Sequence, residues 1–530
     1  MQRRTDEFSA PAHLPAQGWI IAQAAALITL GNVASRLLGL VRETVIAEIF
    51  GASGLVSAFR TAALAPTLVY DLLIGGMISG ALVPVFSEYA DPARRSELRH
   101  VAGVVFSLLG LLLALVVLAL ELAAPLLTWA LAGGLPADLL ATTTDLTRLI
   151  LPAILFFGLS GITTGLLYST QRFLYPAFGA AIFNLGIILT ALLFSDRLGI
   201  AALSLGVVLG SILQLLIQVP GLRGLRPQFR LSLDPALRRI LLLYAPVVLG
   251  IVVSQIGIAI DFNLASRTGE QSRAWMQAAT HLVQFPLGLV SAAISLAVLP
   301  SLAQFASGGE KERFRKTLGT GLRMVLFLIL PAALGLLALS IPIIDLLFEH
   351  GAFTRQDTQQ TALALRWYLI GMPFAAIDLL LIFAFYAHQD TRTPNLVAIL
   401  SVLVYLLVAL GTIQPLGFVG LVIADSCKHA AHSISMLLLA HLRLDALRGQ
   451  RILTLLAKAG LASLGMALLA WGIASQLSPQ LGDGLWNELT LVALAGGAGA
   501  GAYLLAVVGL GTEEIDLLWT LLRRRGLAVS

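Results

Sequence analysis

Apolar stretches of membrane-spanning length recur along almost the whole chain, separated by short polar joints. A hydrocarbon core about 30 Å thick needs ~20 apolar helical residues, and windows of that length place about fourteen spans. They fall near residues 19–48, 56–87, 101–122, 145–168, 176–195, 200–220, 239–262, 274–304, 318–340, 361–387, 394–413, 417–441, 452–475 and 487–510. The joints at 196–199 and 414–415 are short enough to predict tight helical hairpins.

The pattern also repeats. The second span ends Val83-Pro84-Val85-Phe86-Ser87-Glu88-Tyr89-Ala90 and the eighth ends Leu299-Pro300-Ser301-Leu302-Ala303-Gln304-Phe305-Ala306. The fourth exits through Tyr168-Ser169-Thr170-Gln171 with Pro176 beyond, the tenth through Tyr386-Ala387-His388-Gln389 with Pro394 at the same spacing. The predicted fold class is therefore an all-α polytopic membrane protein with two parallel six-helix repeats plus two C-terminal helices. Such duplication is a common transporter plan. The corresponding segments are an N-terminal tail (1–18), an N-lobe (19–220), a basic linker (221–238), a C-lobe (239–441), two added helices (442–510) and a C-terminal tail (511–530).

Polar residues interrupt this pattern in a helical rhythm. In the first span, Asn32, Arg36, Gly39 and Glu43 stand at i, i+4, i+7 and i+11 and share one helix face, with Arg42 beside them. A charged residue inside a membrane helix is costly and faces a bundle interior or a watery cavity, where it marks a path for polar cargo. The second span adds Ser57, Arg60, Tyr70 and Asp71. Arg60 and Asp71 share a face but lie roughly 16 Å apart along the axis, so partners on other helices are expected. Gly75, Gly76, Ser79 and Gly80 form small-residue patterns that permit close helix packing. The eighth span carries Gln277, His281, Gln284, Gly288, Ser291 and Ser295 on one face, and Asp261 ends the seventh. These positions predict a cleft lined by the first, second, seventh and eighth helices. The pattern is also consistent with Arg42 and Arg60 snorkelling to an interface, Arg36 in a structural ion pair, His281 as a packing residue and Asp261 as a helix-end cap.

Composition and charge narrow the class. The 530 residues are 58% hydrophobic and 12% charged, against about 25% charged in soluble domains. The single cysteine excludes an internal disulfide. With the N-terminus inside, the alternate inner loops and both tails hold 24 Lys/Arg, while the outer loops hold only Arg197, Arg267, Arg273 and Arg355. This asymmetry places both termini in the cytoplasm. It accounts for the net charge of +5 without a nucleic-acid partner. Enzyme signals are absent: no P-loop, no GxSxG, and no histidine pair at metal spacing.

Several motifs, in order, carry a family resemblance. Ser35-Arg36-Leu37-Leu38-Gly39-Leu40-Val41-Arg42-Glu43 and Ile49-Phe50-Gly51-Ala52 resemble the first-helix signature of the MurJ/MviN family of lipid II flippases. The likeness continues through the second-span motif above, Leu213-Gln214-Leu215-Leu216-Ile217-Gln218-Val219-Pro220, and Pro246 to Gln255. It extends through Phe285-Pro286-Leu287-Gly288, Leu347 to Thr354, and Phe385 to Pro394. The resemblance implies an exporter fold of the multidrug/oligosaccharidyl-lipid/polysaccharide superfamily that moves lipid-linked peptidoglycan precursor from the inner to the outer leaflet by alternating access. It further implies that cavity arginines, here Arg36 and Arg42 with Arg60 added, hold a pyrophosphate, and that the last two helices accommodate the lipid tail. A cation near the seventh helix, with Asp261 as one ligand, is also implied. The chain departs from the family pattern at Pro66-Thr67-Leu68-Val69-Tyr70-Asp71, where a pair of arginines is usual, at Ser57 for an acidic residue, and at His281 for an arginine. Its eleventh helix has no carboxylate or amide between Val402 and Ala409.

The functional expectation is a flippase, not an enzyme, acting as a monomer in the inner (cytoplasmic) membrane. Its expected partners are a polyprenyl-pyrophosphate-linked glycolipid and membrane lipids. It requires no cofactor, with monovalent-cation or proton coupling as the open possibility. The altered cavity leaves two alternatives: a same-fold exporter of another polyprenyl-pyrophosphate glycolipid or polysaccharide precursor, or a non-transporting envelope scaffold.

Overall fold

The computed structural model describes residues 14–71, 76–225, 232, 234–482 and 484–515. Parts of the predicted tails and linker (1–13, 226–231, 233 and 516–530) and the small-residue position Gly75 lie outside these. Among the described residues, nineteen α-helices follow in chain order: α1 (Leu14–Phe50), α2 (Gly54–Tyr70), α3 (Val83–Ser87), α4 (Arg95–Ala132), α5 (Ala137–Ile150), α6 (Ala153–Ser169), α7 (Leu174–Ala177), α8 (Gly179–Leu198), α9 (Ala201–Leu216), α10 (Pro235–Ser266), α11 (Ser272–Pro286), α12 (Ala292–Ser307), α13 (Lys311–Ala338), α14 (Ser340–Phe348), α15 (Arg355–Ala387), α16 (Arg392–Leu416), α17 (Phe418–Leu444), α18 (Ile452–Leu481) and α19 (Leu485–Gly509). No strand occurs among the described residues.

Each predicted span is helical over most of its described length, with turns at 151–152, 178 and 339, and among the described residues ten helical stretches are long and apolar enough to cross a membrane. α17 is not among the ten. Asp425, Lys428, His429, His432 and Ser433 interrupt its apolar run.

The duplication has a backbone signature. Gln171 and Gln389, at the exits of the fourth and tenth spans, both adopt positive φ, 60° and 59°. Gly199 and Gly417, at the two tight hairpins, adopt φ 54° and 57°, with ψ −138° and −135°. That second conformation is open essentially to glycine alone. A π-helical turn interrupts the second span at Ile78–Leu82 and the eighth at Leu287–Ser291. Such turns concentrate at functional positions. Beside Gln389, Asp390 opens α16 by accepting from Thr393 Oγ1 at 2.6 Å and from the backbone amides of Arg392 and Thr393. These bonds hold its carboxyl below the usual carboxylate range.

The chain forms two compact units: one of Met1–Val45, Ala62–Leu127 and Thr143–Gln255, the other of Ile46–Thr61, Thr128–Thr142 and Ile256–Ser530. In this grouping 46–61 and 128–142 sit with the second unit and 239–255 with the first.

In unit 1, Leu82, Phe86, Val105, Ile162, Leu166 and Tyr244 form the buried core. α8 and α9 pack through glycine: a Cβ on Gly186 would lie 2.5 Å from the Cα of Gly210. Small residues give backbones this approach where lipid supplies no hydrophobic drive. Amides join α9 and the turn after it to α6: Gln214 Nε2 donates to Ser160 Oγ at 3.2 Å, Gln218 Nε2 to the same oxygen at 2.6 Å, and Thr164 Oγ1 donates to Gln218 Oε1 at 3.1 Å.

In unit 2, α15 starts with a capping box in which Thr354 and Asp357 satisfy each other's backbone amides. It packs on α17, where Gly371 admits Ser426. α18 and α19 pair with each other and with α13, tied by Tyr503 Oη donating to Phe327 O at 2.7 Å. The end of α1, the start of α2 and the end of α4 also belong here. Ala352 N donates to Glu48 O at 2.8 Å, and Asn263 Nδ2 donates to Ala130 O at 2.9 Å.

Candidate functional site

Arg42 is the best-defined element of the predicted stripe. Its Nε donates to Glu43 Oε1 at 3.1 Å and its Nη2 to the same oxygen. Nη1 donates to Asn184 Oδ1 on α8 at 2.9 Å. Asn184 Nδ2 in turn donates to Ser35 O at 3.1 Å, which fixes the amide's orientation. Glu43 is buried, with 2% of its side chain exposed against 20% for Arg42. A carboxylate this deep needs a partner, and Arg42 supplies it. Three of the five guanidinium N–H donors are committed by these contacts, leaving two for an incoming acceptor.

The stripe is not uniform along its length. Asn32 and Arg36 are exposed, Gly39 faces Asn184, and Glu43 is sealed. The shared face predicted from spacing is therefore exposed at Asn32 and Arg36 and sealed at Glu43, where Asn184 of α8 meets Arg42 and Ser35. In the same unit, Tyr70 stacks at 5.7 Å on Phe157, which meets Phe183 at 5.2 Å. Asp71 Oδ2 accepts from Gln255 Nε2 of α10 at 3.4 Å. The partner expected for Asp71 on another helix is thus Gln255.

Arg60, Ser57, Asp261, Gln277, His281 and Gln284 fall in the second unit. Ser57 is buried, Arg60 and His281 are half-buried, and Gln284 is exposed. Arg273, counted with the outer loops by sequence, instead sits in the first turn of α11 with only 14% of its side chain exposed. Its guanidinium donates to Asp261 Oδ2 at 3.0 Å and Gln277 Oε1 at 3.1 Å, and lies 3.5 Å from the Phe262 ring centroid. Gln277 Nε2 is 3.2 Å from His281 Nε2. The other oxygen of Asp261 accepts from Tyr405 Oη at 2.6 Å. The donor set around Asp261 thus brings its own cation and a hydroxyl, and does not fit an added inorganic cation. No group of three or more His, Cys, Asp or Glu suited to a metal occurs among the described residues.

The structure adds a cluster that sequence reasoning passed over. On α15, Asp378 Oδ1 accepts from His432 Nδ1 at 2.9 Å and from Ser433 Oγ. Its Oδ2 is 3.4 Å from His429 Nδ1. His429 Nε2 lies 3.8 Å from Asp425, which is bound to Lys428, and Lys428 Nζ stands 5.8 Å from the Tyr405 ring centroid. A signal was present: Asp425, Lys428, His429 and His432 stand at i, i+3, i+4 and i+7, one face of a helix.

With these geometries in place, comparison with known proteins is direct. The family model described as "Lipid II flippase MurJ" matches residues 46–487. The "Lipid II flippase MurJ" of Burkholderia cenocepacia is 31% identical over 388 residues, 71% of this chain and 75% of that protein. The "Probable lipid II flippase MurJ" of Vibrio cholerae is 30% identical over 521 residues, covering 93% of this chain and 96% of that one. Among solved structures, a lipid II flippase MurJ in an inward closed conformation superposes with TM-score 0.77 at 24% identity, over 93% of this chain and all of that one. An inward-facing multidrug transporter of the MATE family and MOP superfamily gives TM-score 0.67 at 14% identity, over 78% and 95%. These two likenesses establish the fold.

Proposed function

The chain belongs to the lipid II flippase MurJ family, and from that premise we propose how its own residues take hold of lipid II. It is a multi-pass membrane protein of the bacterial inner membrane, and its function is lipid II translocation for peptidoglycan synthesis. Neither alternative from the sequence, a different cargo or a scaffold, is favoured by relatives that match over nearly the whole chain.

Arg42 binds the pyrophosphate of lipid II, with Arg36 one helical turn and a half away on the open part of the same helix. The observation that carries this is the Glu43–Arg42–Asn184 clamp, which holds a guanidinium in a fixed pose inside an apolar helix while leaving two N–H donors. A guanidinium pairs with phosphate oxygens bidentately and never loses its charge at physiological pH. The matched family segment begins at residue 46, so the assignment of Arg36 and Arg42 rests on this geometry and the first-helix motif. Cargo then passes by alternating access in a monomer whose termini both face the cytoplasm.

Complementation tests this reading. In cells depleted of their own flippase, the wild-type chain restores growth and surface exposure of lipid II. Arg42→Ala abolishes both, and Arg42→Lys recovers only a minor part, since an ammonium lacks the bidentate fork. Unchanged rescue by Arg42→Ala at wild-type membrane abundance would remove Arg42 from the site.

A further inference from the structure

A path of side chains leads away from the Arg42 clamp inside unit 1. Asn184 of α8, which accepts from Arg42, is preceded by Phe183, whose ring centroid lies 5.2 Å from that of Phe157 on α6. Phe157 in turn lies 5.7 Å from Tyr70 at the end of α2. The three rings are half-buried, and their tilts of 58° and 57° leave part of each face uncovered by its neighbour. The path ends where Asp71, the residue after Tyr70, meets Gln255 of α10. Every residue named on it belongs to the same compact unit.

This far end is built of acceptors. A carboxylate only accepts, and the bond that Gln255 Nε2 gives to Asp71 Oδ2 is long, at 3.4 Å. The other end of the same amide, Gln255 Oε1, is buried and has no hydrogen-bond partner. A buried acceptor left unmade is costly, so Asp71 and Gln255 together are set for incoming donors. A phosphate does not fit them, because it brings acceptor oxygens and a charge of the carboxylate's own sign. A hydrocarbon tail has no donors. A sugar ring has both properties the path asks for: hydroxyl donors around its edge, and C–H groups on its faces that lie against electron-rich aromatic faces. Aromatic walls with a few placed polar groups are the usual make-up of a small-molecule site. The departure from the family motif at Tyr70-Asp71, where a pair of arginines is usual, therefore exchanges donors for acceptors.

We propose that Tyr70, Phe157 and Phe183, with Asp71 and Gln255, form a sugar subsite that receives the saccharide of the lipid-linked cargo. The register rests on the reading of Arg42 as the pyrophosphate holder. Clamp and subsite adjoin through the consecutive residues Asn184 and Phe183, as pyrophosphate and first sugar adjoin in such a glycolipid. Asp71 and Tyr70 are then specificity-determining residues, which select a cargo by its hydroxyls. A site built to hydrogen-bond a hydroxyl discriminates strongly against a ligand that lacks it.

Binding to the full-length protein in detergent micelles tests this with two probes, lipid II and undecaprenyl pyrophosphate, which has the same anchor and pyrophosphate but no sugar. The wild type should prefer lipid II by roughly tenfold or more, the scale set by hydrogen bonds to a charged acceptor. Asp71→Ala and Tyr70→Leu should each reduce that ratio severalfold. A wild-type ratio near one would overturn the subsite, as would a ratio that keeps its wild-type value in both variants. If Asp71→Ala does not fold, Asp71→Asn takes its place, and an unaltered ratio there refutes the subsite equally. Arg42→Ala reports separately on the pyrophosphate: it should weaken both probes and preserve the ratio. Full binding of both probes by Arg42→Ala, with the ratio still lost in Asp71→Ala, would remove Arg42 from the pyrophosphate and uphold the sugar subsite. Lipid II acetylated on its peptide amine distinguishes a hydroxyl from an ammonium at Asp71. It should bind as unmodified lipid II does, and a loss matching that of Asp71→Ala would assign the carboxylate to the amine and overturn the proposal.

Discussion

At the scale of single residues, the clamp on Arg42 shows what spacing can and cannot reveal. The helical rhythm of Asn32, Arg36, Gly39 and Glu43 was readable, as was the membrane cost that makes Arg42 informative. Its partner was not: Asn184 lies 142 positions away, and nothing in a local pattern distinguishes it from other amides in apolar helices. The α17 face was a different omission. Asp425, Lys428, His429 and His432 do fall at helical spacing, but only the fold brings Asp378 of α15 to them. Asn184 is a positioning residue, and this predicts a specific phenotype. Hydrogen bonds to charged groups contribute about 1.5–3 kcal/mol. Asn184→Leu should therefore weaken lipid II binding by roughly tenfold or more while membrane abundance stays near wild type. Binding of lipid II to purified protein measures it, and unaltered affinity would mean that Glu43 alone orients the guanidinium.

At the scale of elements, the duplication was legible because helix ends carry the most constrained residues. Pro176 and Pro394 repeat at one offset in sequence, and the structure shows why: the chain turns through the same backbone conformation at Gln171 and Gln389, and again at Gly199 and Gly417. Other joints were opaque. The 349–354 loop read only as a motif, yet it holds the end of α1. Gly351 adopts φ +58°, and a Cβ there would stand 2.2 Å from Glu48 O. Gly51 makes the reciprocal approach, with φ +61° and 2.4 Å to Ala352 O. Left-handed backbone costs a residue with a side chain roughly 1–2 kcal/mol, and here the added atom also meets backbone. Gly351→Val should lower the thermal unfolding midpoint and reduce rescue of flippase-depleted cells. Gly411→Ala, where a Cβ meets nothing within 4 Å, should change neither. Equal behaviour of the two variants would show that the close approach at Glu48 is unimportant.

At the scale of the whole molecule, the compact units differ from the repeats because the ends of early helices are held in the second unit. Residues 46–61 and 128–142 make their contacts there, through Glu48 with Ala352, Asn263 with Ala130, and Gly134 with Ser266. The charge distribution predicts that these ends face outward, where departing cargo would have to part them. The polar contacts among them are single hydrogen bonds and glycine approaches, set beside the buried Ile46, Val56, Ala58 and Phe59. A transport cycle that parts these ends is expected to break the Glu48–Ala352 contact each time. Cysteines at these two positions should cross-link on mild oxidation, since an amide-to-carbonyl bond of 2.8 Å brings the two backbones within reach of a disulfide. Cys427 is the only native cysteine, and replacing it with Ser beforehand leaves the new pair as the sole thiols. The oxidised Glu48→Cys/Ala352→Cys protein should lose flipping in reconstituted vesicles and regain it on reduction, whereas either single variant should flip normally in both states. Full activity in a quantitatively cross-linked sample would show that the outer ends stay together throughout transport, and that lipid II leaves by a route that does not part α1 from the loop at Gly351.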